Sequence, residues 1–86
     1  MTIREEVIAI IKTNFFVGKQ FDLQDTQSFL EAGVIDSIGM INLVKFIEKD
    51  FNIQIEDDEF MPENLDSISG IVDYLKAKGV DKNQTE

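Results

Sequence analysis

Apolar residues recur at intervals of three and four in three separate stretches of this 86-residue chain, a spacing that lines one face of an α-helix. The stretches cover residues 3 to about 16, 37 to about 50, and the segment after 66. Residues 51–55 alternate like a strand, but the sequence offers them no partner strand, so we expect an extended connector there. Because a one-faced helix must bury its stripe against another element, the pattern predicts an all-α fold.

Capping residues refine the predicted boundaries. Thr2 and Glu5 have the spacing of a capping box, Asp36 or Ser37 can cap the second long helix, and Asp66 can cap the last one, with Gly79 beyond its end. Between the long helices, residues 28–32 are expected to form one turn before a glycine. The acidic segment 56–61 predicts a short third helix.

Proline ends that third helix in our interpretation, because Pro62 cannot donate a backbone hydrogen bond. The sequence thus predicts a small four-helix bundle of three longer helices plus one short third helix. A single domain should cover residues 1–79, with residues 80–86 as a frayed tail. Nothing in the pattern indicates an obligate dimer, and we expect a monomer.

The charge balance limits the possible partners. Lys and Arg number 8 against 17 Asp and Glu, a formal charge of -9, which disfavours nucleic acid and anionic membranes and favours partners with basic docking patches. The chain has no Cys and no His, so it lacks a thiol nucleophile, a zinc-thiolate site and the usual general base. We therefore expect a cytoplasmic protein that is not an enzyme, holds no metal and inserts into no membrane.

The second long helix carries an apolar patch on its outer side. At about 100° per residue, its inward face is formed by Met40, Leu43, Val44, Ile47 and Phe51. Ile38, Ile41 and Lys45 fall on a flank, and Glu48 lies close to the direction of Ser37. A small bundle cannot hide every apolar side chain. Alternatively, the two isoleucines belong to a docking surface beside the helix N-terminus.

The run from Phe29 to Val44 resembles the attachment region of acyl carrier proteins. Gly33 lies four residues before the triplet Asp36-Ser37-Ile38 that opens the helix, as in that family. The long first loop, the acidic segment before Pro62 and the closing stretch 71–75 also fit, so the resemblance covers nearly the whole chain.

The resemblance implies that Ser37 carries a covalent 4'-phosphopantetheine group, transferred from coenzyme A, whose thiol holds acyl or aminoacyl intermediates as thioesters. It implies a phosphopantetheinyl transferase, a loading ligase and acyl-processing enzymes as partners, with Asp36, Ile38, Ile41, Lys45 and Glu48 as candidate recognition residues. Met40 is a candidate for lining an acyl pocket, although simple core packing explains it as well.

The triplet recurs at Asp66-Ser67-Ile68 and so cannot identify the site alone. Glu63 replaces the glycine four residues before Ser67, and we interpret this second triplet as a helix cap. Around Ser37, many fatty-acid carriers have acidic residues where this chain has Gly39 and Asn42. This difference, together with Lys45 on the same surface, indicates a specialised carrier of lipid or secondary metabolism. The run Gly33-Val34-Ile35-Asp36-Ser37 resembles stand-alone carriers that adenylating ligases load, aminoacyl carriers included.

Two other classes of protein share features with this sequence. Asp50, Asn52, Gln54, Glu56 and Asp58 have EF-hand-like spacing, but Ile55 and Met61 stand where such a loop needs glycine and glutamate. The other alternative is an unmodified acidic helical adaptor that binds partners without transferring a group.

Overall fold

The computed structural model describes residues 2–16, 18 and 20–80. Five α-helices follow one another in this part of the chain: α1 (Ile3–Phe15), α2 (Phe29–Ala32), α3 (Ser37–Phe51), α4 (Pro62–Leu65) and α5 (Ile68–Ala77). A 3-10 turn at Asp57–Glu59 precedes α4. The described residues form no strand. The predicted all-α bundle with three longer helices is confirmed, but it contains two short helices, α2 and α4, where the sequence predicted one short third helix.

Helix α1 begins as its capping box predicts. The Glu5 amide donates to the Thr2 hydroxyl at 3.1 Å, and the Thr2 amide donates to the Glu5 carboxylate at 2.8 Å. These bonds satisfy amides that the first helical turn leaves free. They also lower the pKa of Glu5, mainly through the backbone bond. Helix α1 packs against both α3 and α5.

The buried apolar side chains form one core among the described residues, drawn from all five helices and from the loops between them. Phe29, Leu43, Ile47, Leu65 and Leu75 are fully buried within it. No charged or polar residue in the described part of the chain is buried. Since an unpaired buried polar group is costly, this composition keeps the core apolar.

The first long loop is attached to the start of α5 at two points. The Ser69 amide donates to the Asp25 carbonyl at 2.8 Å, and the Phe29 amide donates to the Asp66 carbonyl at 2.9 Å. Asp25 also forms a two-pronged pair with Arg4, at 2.7 and 2.8 Å, which lowers the pKa of the Asp25 carboxyl. The predicted turn at 28–32 is confirmed as α2. It ends at Gly33, whose φ of 73° is a left-handed conformation that suits glycine.

Three predicted boundaries are wrong. Pro62 begins α4 instead of ending a helix, because a residue in the first helical turn has no intrahelical partner for its amide and proline costs nothing there. The predicted third helix over 56–61 contains only the 3-10 turn. Phe51, predicted as extended, is the last residue of α3, and Asn52 ends the helix in a left-handed conformation with φ 56°. The predicted tail extends beyond Val80, and residues 81–86 lie outside the described residues.

Candidate functional site

Ser37 is the first residue of α3, and Asp36 caps the helix. The Asp36 carboxylate accepts a hydrogen bond from the Gly39 amide at 2.7 Å. Because Asp36 satisfies the free amide, the Ser37 hydroxyl is left without a hydrogen-bond partner among the described residues, and its residue is exposed. A nucleophilic oxygen at a helix start is therefore open to an incoming enzyme.

The second triplet is used differently, although its letters are the same. Here Ser67, not Asp66, is the N-cap of α5, and its hydroxyl accepts from the Gly70 amide at 3.0 Å. The interpretation of this triplet as a helix cap is confirmed at Ser67, whereas the prediction that Asp66 itself caps the helix is wrong. The Asp66 carboxylate instead accepts from the Leu30 amide at 3.0 Å and from the Ser28 hydroxyl. Ser67 is half-buried and engaged, whereas Ser37 is exposed and free.

Gly39 is required by the packing of this helix start. A Cβ atom there would lie 2.9 Å from the Ile35 methyl carbon Cγ2 and 3.2 Å from the Asp36 oxygen that accepts the capping bond. Ile35 is buried, so its side chain has little room to move. The small residue two positions after Ser37 thus allows Ile35 and the Asp36 cap to pack closely beneath the serine.

A cleft of about 150 Å³ opens beside Ser37. Its walls come from three segments: α2, the first turn of α3, and the stretch from the end of the 3-10 turn to the start of α4. The lining residues are Leu30, Ser37, Met40, Phe60, Met61 and Pro62. Met40 reaches the cleft while being largely buried, as the sequence suggested. Apart from Ser37 the lining is apolar, so the cleft suits a small uncharged group.

Sequence reasoning missed Leu30, Phe60, Met61 and Pro62 as neighbours of the serine. The adjacent pair Phe60-Met61 in an otherwise acidic segment was the available signal, because two apolar side chains on a short exposed segment need something to cover. Only the fold shows that this segment lies against the start of α3.

The wall that carries Phe60 and Met61 is held by Glu59. Its carboxylate accepts from the Tyr74 hydroxyl at 3.0 Å and from the Lys78 ammonium at 2.9 Å. The Glu56 amide donates to it at 3.0 Å. These bonds lower the pKa of Glu59, with the backbone bond as the largest cause. Burial, and then the Glu59 contact, raises the pKa of Tyr74 well above its ordinary value.

The five candidate recognition residues do not share one environment. Ile38 and Ile41 are 71% and 48% exposed, as the helix geometry predicts, and Lys45 is exposed on the same side. Asp36 lies at the helix start as the cap. Glu48 is half-buried, and its carboxylate accepts from the Ile55 amide at 2.8 Å, a contact that fixes the connector after α3.

Neither a membrane span nor a metal cluster is found within residues 2–16, 18 and 20–80. No helix in this part of the chain is long and apolar enough to cross a bilayer. No group of three or more His, Cys, Asp or Glu side chains there is arranged to hold a metal ion.

A helical bundle with an exposed serine at a helix start and a small apolar cleft beside it defines a candidate site for a covalently attached group. The chain matches the family model described as "Phosphopantetheine attachment site" over residues 4–75. The chain therefore belongs to this family. Its cofactor is covalent 4'-phosphopantetheine, and the chain is a phosphopantetheine carrier protein.

Individual relatives agree with this membership. A D-alanyl carrier protein of Streptococcus suis is 32% identical over 81 residues, which are 90% of this chain and all of that protein. One of Leuconostoc citreum is 35% identical over 60 residues, 70% of this chain and 74% of the relative. The solution structure of a holo acyl carrier protein from Nitrosomonas europaea superposes with a TM-score of 0.75 at 20% identity, covering 91% of this chain and 96% of that one. This last likeness shows a shared fold.

Proposed function

We propose that Ser37 is the attachment residue and that the arm carries small aminoacyl or acyl groups as thioesters between enzymes. The observation that carries the proposal is the free, exposed hydroxyl of Ser37 at the start of α3, next to the cleft. Ser67 has the same neighbours in sequence, but its oxygen is already bonded to a backbone amide.

The attachment reaction needs little from this chain. The Ser37 oxygen forms a bond to the phosphorus that bears pantetheine in coenzyme A, the diphosphate P–O bond breaks, and adenosine 3',5'-bisphosphate leaves. The hydroxyl proton passes to a base of the transferase. The start of α3 stabilises the resulting phosphodiester charge by about 0.3–1 kcal/mol. Because coenzyme A is the donor, we propose that the protein works in the cytoplasm.

The cleft favours a small cargo. A cavity of about 150 Å³ accommodates a molecule the size of benzene, and the cleft beside Ser37 has that volume. A long fatty chain would need the core to open. The relatives named above are D-alanyl carriers, so we propose an amino acid, with D-alanine as the first candidate, loaded by an adenylating ligase. Only the side chain of such a cargo suits the apolar cleft, because its charged ammonium group needs solvent. The free thiol, absent from a chain without cysteine, comes from the arm.

Attachment is tested by incubating the protein with coenzyme A and a promiscuous phosphopantetheinyl transferase, followed by intact-mass analysis. We expect one added phosphopantetheinyl group on the unmutated chain and none on Ser37→Ala, with both folded by circular dichroism. Ser67→Ala is the matched control and should be labelled fully. Absence of any mass gain on the unmutated chain would support the unmodified-adaptor alternative. If only Ser67→Ala lost the label while remaining folded, Ser67 and not Ser37 would be the attachment residue.

Cargo is tested by isolating the protein from its own host and releasing the thioester with hydroxylamine. We expect an amino acid hydroxamate, and the same amino acid should load the purified holo protein in the presence of ATP and the host's adenylating ligase. Recovery of a long-chain acyl hydroxamate instead would contradict the aminoacyl proposal while leaving the attachment site intact.

A further inference from the structure

The segment 56–64, which we call the wall segment, contributes no buried side chain to the core. The residues that flank it, Ile55 and Leu65, are both buried. Within it, Phe60 and Met61 are 40% and 42% exposed although they line the cleft. Core packing therefore holds the two ends of the wall segment but not its middle. A segment with few buried apolar contacts is among the first parts of a protein to open locally.

One side chain joins the middle of the wall segment to another part of the molecule. Most hydrogen bonds that the wall segment makes with described residues are local, between residues at most five positions apart. The exceptions are those of the Glu59 carboxylate, which accepts from the Tyr74 hydroxyl at 3.0 Å and from the Lys78 ammonium at 2.9 and 3.2 Å. We call Glu59, Tyr74 and Lys78 the Glu59 cluster.

The Glu59 cluster is better shielded from water than the ion pair between Arg4 and Asp25. The Glu59 and Lys78 side chains are 30% and 25% exposed, against 53% and 43% for Arg4 and Asp25. Partly buried charges are screened less than exposed ones. Tyr74 is itself buried, and the Lys78 ammonium lies 5.8 Å from the centre of its ring. The cluster is therefore a firm attachment of the wall segment to α5.

The other walls of the cleft leave little room for enlargement. Met40 is 5% exposed and belongs to the core, so moving it disturbs close-packed neighbours. Leu30 is held through its amide, which donates to the Asp66 carboxylate at 3.0 Å. Phe60 and Met61 have neither kind of restraint. A larger cleft is thus reached most easily by outward movement of the wall segment.

We propose that the Glu59 cluster sets the largest cargo that the cleft accepts. While its bonds hold the wall segment to α5, Phe60 and Met61 stay in place and the cleft keeps its volume of about 150 Å³. Without these bonds the wall segment moves outward between its buried ends, and the cleft accepts longer acyl chains. The proposal rests on the proposed function, because the cargo reaches the cleft on the arm at Ser37.

The test compares the unmutated protein with the double variant Tyr74→Phe/Lys78→Met. The phenylalanine keeps the buried ring and the methionine keeps most of the apolar stem, so only the bonds to Glu59 are lost. Acyl groups from acetyl to decanoyl are installed from acyl-coenzyme A by the promiscuous transferase. The rise in unfolding temperature over the holo form is then measured within each protein, so that differences in basal stability cancel.

We expect the rise in the unmutated protein to level off at about hexanoyl, the size that a cavity of this volume holds. In the double variant it should continue for about two more carbons or further, because each additional buried CH₂ group still adds stability. By NMR, the terminal methyl group of a decanoyl chain should show NOEs to the Met40 methyl group in the double variant only. A purely stabilising role of the cluster would leave both readouts unchanged.

Two control variants remove a positive charge elsewhere. Arg4→Met breaks the ion pair with Asp25, and Lys76→Met removes an exposed charge on α5. Each changes the net charge as Lys78→Met does, and both should level off with the unmutated protein. A later plateau in Arg4→Met as well would overturn the proposal, because general loosening would then explain it. An identical plateau in the double variant and the unmutated protein would also overturn it.

The proposed function and the cargo-size proposal fail separately. The proposed function fails when the unmutated chain gains no arm, or when the protein from its host releases no amino acid hydroxamate. The cargo-size proposal is tested only on proteins whose acylation is verified by intact mass and whose fold is verified by circular dichroism. Its failure is a plateau that stays at the same chain length when the Glu59 bonds are removed.

Discussion

The carboxylate of Glu59 and the hydroxyl of Tyr74 are hydrogen-bonded at 3.0 Å, joining the segment that forms one wall of the cleft to helix α5. Lys78, one turn later on the same side, donates to the same carboxylate. Phe60 and Met61 directly follow Glu59, so this contact determines where they lie relative to Ser37. The wall of the cleft is therefore attached to α5 through the Glu59 side chain.

Glu59→Gln should destabilise the fold at neutral pH, and the effect should depend on pH. The pKa of Glu59 is lowered from its ordinary 4.5 in the folded chain, so the unfolded state binds its proton first as pH falls. The stabilisation is thus present above about pH 4.5 and is lost as pH falls through the folded-state pKa. Thermal unfolding from pH 7 to 3 should show the two proteins converging in stability. The control is Glu63→Gln, at an exposed residue nearby, which should have the same stability as the unmutated chain at every pH. If Glu59→Gln were still less stable than the unmutated chain at pH 3, the ionised Glu59 carboxylate would not be the cause.

Asp66→Ala should cost about 1–2 kcal/mol, because it removes the acceptor for two groups of the first loop. The Leu30 amide and the Ser28 hydroxyl both donate to this carboxylate, and Leu30 lines the cleft. Urea unfolding measures the cost. Asp73→Ala, an exposed residue on the same helix without such contacts, is the matched control and should change stability by less than about 0.5 kcal/mol. Equal losses in the two variants would show that the Asp66 contacts contribute nothing specific.

The sequence predicted the features that depend on neighbouring residues, but not those that depend on tertiary contacts. The Thr2-Glu5 box and the start of α3 depend on residues three and four apart, and both were predictable. The assignment of Asp66 was not, because its partners Ser28 and Leu30 lie more than 30 residues away in sequence. The Asp66 carboxylate binds Ser28 and Leu30 instead of the helix amides, and Ser67 caps the helix.

The same division applies to the candidate site. Exposure of Ile38 and Ile41 follows from the 3.6-residue period and was predicted correctly. The position of Phe60 and Met61 depends on Pro62 starting a helix, which the sequence interpretation reversed, and on the bond between Glu59 and Tyr74. Helix propensity, which describes single residues, does not predict such a tertiary contact.

Gly39→Ala should fail to give the stabilisation that alanine usually brings to a helix. Replacing a helical glycine ordinarily gains about 1 kcal/mol, but here the new methyl group would lie 2.9 Å from Ile35 and 3.2 Å from the capping oxygen of Asp36. We expect unchanged or lower stability in urea and slower labelling by the transferase. Asn42→Ala, exposed later in the same helix, should gain about 0.5 kcal/mol and label normally. A clear gain in Gly39→Ala would show that Ile35 and Asp36 adjust without cost.

The size of the cleft predicts how thioester cargo affects stability. Each CH₂ group buried in the cleft should add up to about 0.8 kcal/mol, until the cavity of about 150 Å³ is full. Acyl groups from acetyl to decanoyl can be installed with the transferase from the matching acyl-coenzyme A, and thermal unfolding of each form measured. The unfolding temperature should rise with acyl chain length up to about hexanoyl and then level off. Hexanoyl has as many carbons as the benzene that such a cavity holds.

Met61→Ala, which removes part of an exposed wall without emptying the core, should reduce this rise in unfolding temperature. A rise that continued to decanoyl would show that the core opens for long chains, and no rise at all would show that the cargo stays in solvent.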